Sequence, residues 1–293
     1  MLKKRGIVAK GIFVGLATID VVYSVDEFPA SDSKVVARSQ DLYVGGPATN
    51  ASILFAHLGG KAVLVTAVGR HALTHTLHEE FKQYSIELSD IHPEFAEAPV
   101  VSSISIDKAG RRNVISANAS RMAVPAVRAD EAMLQGAGVL LVDGHFMPAC
   151  QAWAKAARAH GMRTVLDGGS WKDGTEELLG SIDCAICSAD FKPPGCSTPE
   201  QIIAYLKARG VANVAITQGA EPIQFVSPTS DGRIRIPPIE VVDTLGAGDF
   251  FHGAFCFYLS SGAGFLEALV EASRVASVSC RYPGTRAWLS HLE

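Results

Sequence analysis

Nowhere does this chain of 293 residues hold the ~18 consecutive apolar residues that a membrane span requires. Nor does either sign of charge dominate: Lys+Arg number 26 against Asp+Glu 30, a net −4. That balance gives no global pull toward nucleic acid or an anionic membrane, and leaves room only for a local basic pocket. Cysteines are few, six in all, and several lie inside apolar runs, as reduced core thiols of a cytoplasmic protein do. The basic start Met1-Leu2-Lys3-Lys4-Arg5-Gly6 lacks the sequel of a secretion signal, because Lys10 interrupts the apolar stretch and Asp20 follows. There is no triplet period of glycine, no internal repeat and no low-complexity tract, which excludes collagen and repeat arrays. The nucleotide-binding fingerprints are missing too. Gly246-x-Gly248 has no third glycine, and Gly60-Lys61 is followed by Ala62 rather than Ser or Thr.

What is present is a rhythm. Hydrophobic residues make up 48% and charged residues 19%, enough for a large core. Short runs rich in Val, Ile and Leu at 11–16, 62–68, 139–142, 164–167, 184–188 and 214–217 predict strands buried on both faces. Amphipathic stretches at 49–58, 73–83, 148–160 and 199–208 predict helices between them. The alternation predicts an open parallel sheet with helices on both faces, binding ligands beyond the carboxyl ends of its strands. Two stretches, 21–44 and 100–116, alternate apolar and polar residues instead, and predict twisted strands with one wet face that pair as a small projecting sheet. No composition shift marks a linker, so residues 1–293 are expected to form one domain with lid segments at about 20–45 and 98–120.

The chemistry concentrates in Val241-Val242-Asp243-Thr244-Leu245-Gly246-Ala247-Gly248-Asp249, which runs into a helix-like stretch. Small residues let the backbone approach an anion, and the free N–H groups of a helix start stabilise it. Asp249 within such a site is unfavourable unless it works as a general base on a hydroxyl attacking a phosphoryl group. The plainer alternative is a glycine-rich loop whose Asp caps the helix.

The string from Asp243 to Asp249 resembles the C-terminal signature of the ribokinase-like (PfkB) sugar kinases. Gly45-Gly46-Pro47-Ala48-Thr49-Asn50, then Leu58-Gly59-Gly60 and Val68-Gly69, resembles that family's first signature, and Gly15-Leu16-Ala17-Thr18-Ile19-Asp20 its first strand. The resemblance extends from about residue 10 to 285. Within the family it leans toward the ketohexokinase and 6-deoxy-6-sulfofructose kinase branches, on Asp26-Glu27-Phe28-Pro29 for the former and Phe251-His252-Gly253-Ala254 and Cys280-Arg281-Tyr282-Pro283-Gly284 for the latter. It implies a three-layer αβα sandwich with a mostly parallel central sheet and a small β-sheet lid. It implies Asp249 as catalytic base, with Gly246, Ala247 and Gly248 as the anion hole. Asp20, Gly45, Gly46, Asn50 and Arg112 correspond to substrate-binding positions, and Thr217, Gly219, Thr244, Gly246 and Gly248 to ATP-binding ones. ATP with Mg²⁺ follows as cofactor, with a monovalent cation such as K⁺ beside it. A small sugar is the implied partner, and a second copy of the chain, joined through the lid, the other.

Departures are equally specific. The family's Asn-x-x-Glu is replaced by Ser188-Ala189-Asp190-Phe191, so Asp190, one register off, is the metal candidate, acting through water. Its Gly-x-Asp after the second strand is absent, since Val68-Gly69 is followed by Arg70-His71. Other clusters read blandly. His71, His75 and His78 share a solvated helix face, and Cys184 and Cys187 of one strand should face opposite sides. The neighbouring phenylalanines are expected to pack in the core, and His252 either packs in the helix, the favoured reading, or touches the nucleotide. Lys172, after a strand, stands on the ligand side. The expected activity is ATP-dependent phosphorylation of a hydroxymethyl group on a furanose ketose such as fructose. A ribokinase, a nucleoside kinase, and a non-catalytic sugar or nucleotide sensor are the alternatives.

Overall fold

The computed structural model describes residues 8–119 and 122–292; the basic start at 1–6 and residue 120 of the second expected lid segment lie outside the described residues. The chain first forms β1 (Lys10–Val14), β2 (Thr18–Ser24), β3 (Ser39–Gly45), α1 (Pro47–His57), β4 (Lys61–Thr66), α2 (Thr74–Gln83) and β5 (Glu87–Asp90). Next come β6 (Val101–Ile106), β7 (Arg112–Ser116), α3 (Glu131–Leu134), β8 (Val139–Val142), α4 (Met147–Ala159), β9 (Arg163–Gly168) and α5 (Thr175–Leu179). Then follow β10 (Cys184–Ser188), α6 (Pro199–Ala208), β11 (Asn213–Gln218), β12 (Glu221–Val226), β13 (Asp231–Ile234), α7 (Ala247–Ser260) and α8 (Phe265–Ser279), with a 3₁₀ turn at Ala287–His291. The helix expected at 199–208 has those bounds, and a capping box between Thr198 and Gln201 fixes its start.

Nine strands join in the order β13-β12-β11-β10-β9-β8-β1-β4-β5, parallel from β5 to β11 and antiparallel at β12 and β13. Alternating side chains sort the core into two layers. Phe13, Leu141, Cys184 and Ile186 join the layer under α1, α2, α7 and α8; Ile12, Val14, Leu140 and Cys187 join the one under α4, α5 and α6. Cys184 and Cys187 thus face opposite sides, and all six cysteines are free thiols. In the first layer the Phe55 ring meets Phe13 and Phe257 edge-on at 5.3 and 5.7 Å. α1 and α7 cross almost backbone to backbone, since a Cβ on Gly253 would stand 2.5 Å from the Ala51 carbonyl oxygen.

The chain builds outward from β1 through β4 to β5, then returns to β8 and builds the other way, so the order reverses between β1 and β8. Ligand crevices open at such reversals, beyond the strand ends. Asp143, just after β8, pins that point: its Oδ2 accepts from the N–H of Leu16 at 2.8 Å and of Ala48 at 3.2 Å, and its Oδ1 from His145 at 2.8 Å.

A second, four-stranded sheet has the order β3-β2-β6-β7. Only Gly15-Leu16-Ala17 separates β1 of the large sheet from β2 of the small one. Its register sets Asp20 beside Tyr43 and Ser102 on the inner face, and Val21 beside Leu42 and Ser103 on the outer one. Among the described residues no helix is long and apolar enough to cross a membrane.

Candidate active site

The turn before α7 holds Gly246 in the left-handed region at φ 74°, which favours glycine. The helix starts there and Asp249 falls in its first turn, where N–H groups lack intrahelical acceptors. The mouth of this turn is open: a Cβ on Gly248 would meet nothing within 4 Å, so its backbone is accessible to a ligand. Asp249 Oδ2 accepts from Asn50 Nδ2 at 2.8 Å. Burial raises the Asp249 pKa to about 7; the charge of Asp167 adds to the rise, and the Asn50 hydrogen bond opposes it.

Asn50 arrives from α1, whose start needs Gly46 at φ 99°; a Cβ there would collide with the Leu16 carbonyl. A Cβ on Gly45 would collide with the Asp20 carboxylate. These two glycines therefore let the backbone pass close to Asp20, which is itself buried and takes a 2.8 Å hydrogen bond from Thr18 Oγ1. Burial pushes the Asp20 carboxyl above its usual range, against hydrogen bonds from Thr18 and Ser102 and the charge of Arg286.

Beyond Asp249 lies a second layer of titratable groups at the ends of β8 and β9. Asp167 Oδ2 stands 3.3 Å from His252 Nδ1. The ring also reaches Gly248 O at 2.7 Å through Nδ1 and Ile186 O at 3.1 Å through Nε2. Both ring nitrogens thus face oxygens. Burial raises the Asp167 carboxyl, which His252 opposes, and lowers His145. Lys172 Nζ lies near the Asp143 and Ser170 carbonyls at 3.3 and 3.4 Å.

A cavity of about 720 Å³ opens on the other side of the α7 start. Thr217, Gly219, Thr244, Ala247, Gly248 and Arg112 line it, together with the apolar Ile223, Ile236, Pro237, Pro238, Ile239 and Ala276. The size and lining suit a nucleotide, with a base among the apolar groups and phosphates at the helix start. Gly219 turns between β11 and β12 at φ 62°. Arg112, on the edge strand of the small sheet, donates to Thr244 Oγ1 at 2.9 Å and so reaches the glycine turn. His252 and Phe251, the latter expected as core packing, are buried and also line this cavity. A side chain three residues after Asp249 lies almost one turn along, on the same side of the helix.

A sequence model of the pfkB family carbohydrate kinases matches residues 9–291. The chain belongs to that family. It is a sugar kinase by family. It is 24% identical to a ribokinase of Haemophilus influenzae over 285 residues, 94% of this chain and 93% of the relative. To a ketohexokinase of Mus musculus it is 23% identical over 287 residues, 92% and 96% of the two chains. A solved ribokinase of Arabidopsis thaliana, complexed with ribose and ATP, superposes with a TM-score of 0.80 at 23% identity, covering 97% of this chain and 98% of that one. At that identity the likeness establishes the ribokinase-like fold. Ribokinases are more numerous than ketohexokinases among the relatives.

ATP and Mg²⁺ are expected for this family. Among the described residues of this kinase, no three His, Cys, Asp or Glu side chains gather as a metal cage. Mg²⁺ is generally held by one or two carboxylates, waters and substrate phosphates rather than by an all-protein cage. Asp190, the sequence candidate, is exposed just past β10, and its N–H bonds to Ser188 Oγ. Sequence reasoning missed Asp143, Asp167, Glu80 and Arg286 of this kinase. For the first two a signal existed: an acidic residue directly after an apolar run, Val139–Val142 before Asp143 and Val165-Leu166 before Asp167. Arg286 and Glu80 carry no local signal.

Proposed function

We propose that this kinase transfers the γ-phosphoryl group of ATP to a hydroxymethyl group of a small furanose, a ketose such as fructose or a derivative of it. The observation that carries the reading is the 2.8 Å bond from Asn50 to Asp249 at the α7 start, whose first residues also line a nucleotide-sized cavity; Arg286 links Asn50 to the side on which Asp20 lies. Asp20 accepts from sugar hydroxyls while Asn50 donates and accepts. With Oδ2 held by Asn50, the Oδ1 of Asp249 is left to take the proton from the attacking hydroxyl. The N–H groups of Gly246 and Gly248, with that of Ala247 drawn from its 3.3 Å bond to Thr244 O, stabilise charge on the phosphoryl group in flight, and Arg112 adds a cation. Bound Mg²⁺ supplies neutralisation of the phosphate charge. Thr217, Gly219 and Thr244 border the nucleotide.

In this reading the chain is one kinase domain, and its lid is made of segments 20–45 and 98–120. Thr285 Oγ1, buried without a partner beside the Gly284 turn, is an oxygen that a monovalent cation such as K⁺ would use. Asp190 is kept as a carboxylate for metal-bound water. Leu42 and Ile115, 54% and 77% exposed on the outer face of the small sheet, support a homodimer through the lid. Free thiols support a cytoplasmic location.

ADP release measured with D-fructose, D-ribose, 6-deoxy-6-sulfofructose and nucleosides tests the reading. Turnover highest with a ketose supports it; preference for ribose or a nucleoside moves the assignment to that substrate. Tight binding without turnover of any of them makes the chain a sensor.

A further inference from the structure

Arg286 follows the last long helix and returns to the sugar side of the site. Its side chain is 14% exposed, and its guanidinium contacts four segments of the chain. Nε donates to Glu80 Oε1 on α2 at 2.7 Å, Nη2 to Val44 O on β3 at 2.6 Å, and Nη1 to Thr285 O at 2.9 Å and to Asn50 Oδ1 at 3.0 Å. Arginine can only donate, so the atom of Asn50 facing it must be the carbonyl oxygen. The amide NH₂ is thereby turned to the other side, where it meets Asp249 Oδ2.

We propose that Arg286, braced by Glu80, is a positioning residue for phosphoryl transfer: it locks the Asn50 amide so that its NH₂ always faces Asp249. A free amide has two orientations of similar shape. With Oδ1 toward Asp249, an ionised carboxylate is repelled and a protonated one is welcomed as a donor. The unlocked amide would thus favour the protonated base, which cannot accept a proton from the sugar. Locking removes that orientation, both in the resting site and after the proton has moved. The groups around Asp249 are Asp167, His252 and Asp143; those around Arg286 are Glu80, Asp20, Tyr43 and Tyr84. Asn50 bridges the two sets by hydrogen bonds at both ends.

The inference rests on Asp249 as the base, and Asp249→Asn is measured alongside. The test compares wild type, Arg286→Met, Asn50→Ala and the double variant, on the full-length kinase with ATP, Mg²⁺ and its best sugar. Arg286→Met is expected to lower kcat about 10–100-fold and to move the acid limb of the kcat/KM profile upward by about 0.5–1 pH unit, with the KM for ATP unchanged. On the Asn50→Ala background the same change should add almost nothing, because the arginine acts through that amide. Arg286→Lys keeps the charge and most of the volume but not the planar fork, and covers the case in which the methionine variant does not fold. It should fall between wild type and Asn50→Ala on both readouts. A folded Arg286 variant with the wild-type kcat and acid limb overturns the proposal, as does full additivity with Asn50→Ala. If Asp249→Asn itself turns over normally, the base assignment fails instead.

Discussion

Asn50 on α1 donates to Asp249 on α7 at 2.8 Å, across 199 positions of sequence. The amide proposed to bind substrate and the carboxylate proposed as base are therefore joined directly. The carboxylate has one oxygen engaged and the other open, in surroundings that raise its proton affinity. Four outcomes follow from this arrangement and its neighbours.

Because the Asp249 pKa lies at about 7, the base is half ionised near neutrality. Activity should rise as pH rises through that value, and kcat/KM measured from about pH 5.5 to 9 should show one acid limb there. Asp249→Asn should lower kcat by about 10²–10⁴ while calorimetry still detects ATP binding. Near-normal turnover of that variant would sink the role.

The same carboxylate should cost stability. Its folded-state pKa is raised above the ordinary 3.8, so between about pH 4 and 7 the folded chain keeps a proton that the unfolded chain has lost. Its contribution to stability falls as pH rises through that window, and the penalty is complete above about 7. Asp249→Asn should then raise the melting temperature by about 2–6 °C at pH 8, on the order of 1–2 kcal/mol, and leave it unchanged at pH 4. An equal shift at both pH values would show a different cause.

Gly45→Ala should act on the sugar alone. Its methyl group would occupy the space of the Asp20 carboxylate, which must move or leave its Thr18 partner. We expect the sugar KM to rise at least about tenfold, with the ATP KM within about twofold. Initial rates with each substrate varied in turn decide this, and an unchanged sugar KM counts against Asp20.

Arg112→Ala should act on the nucleotide side. The residue is exposed and bonds to Thr244 beside the glycine turn. Its loss should raise the ATP KM about 3–10-fold and flatten the dependence of that KM on salt. Equal salt dependence in both proteins would place the guanidinium away from the phosphates.

The central strands were legible because burial on both faces leaves almost continuous apolar runs, as in Val139–Val142 and Cys184–Ser188. The hairpin of Glu221–Val226 and Asp231–Ile234 was not, since it mixes exposed polar residues with few buried ones. α8 was missed although it holds a buried face, because small residues such as Ala268, Ala272 and Ser273 supply much of that face and blunt the periodicity. In the site, glycine strings are local and could be read; the spacing between Glu80 and Arg286, 206 positions, is not a pattern that a sequence displays. For His252 the sequence left packing in the helix, the favoured reading, beside contact with the nucleotide; the side chain is buried and also lines the cavity, which shows once α7 is set against β9 and β10.

The contact between Gly253 and Ala51 has a mechanical consequence. With no side chain between them, α1 and α7 form a fixed jaw that carries Asn50 and Asp249 at a preset gap. Asp20 rides on the opposite jaw, joined to the core through Gly15-Leu16-Ala17. The two jaws are themselves tied, because β3 of the small sheet runs through Gly45 and Gly46 into α1, and Arg286 bonds both Val44 O and Asn50 Oδ1. The gap between Asn50 and Asp249 is thus set on one side by a glycine whose missing side chain lets two helices meet backbone to backbone.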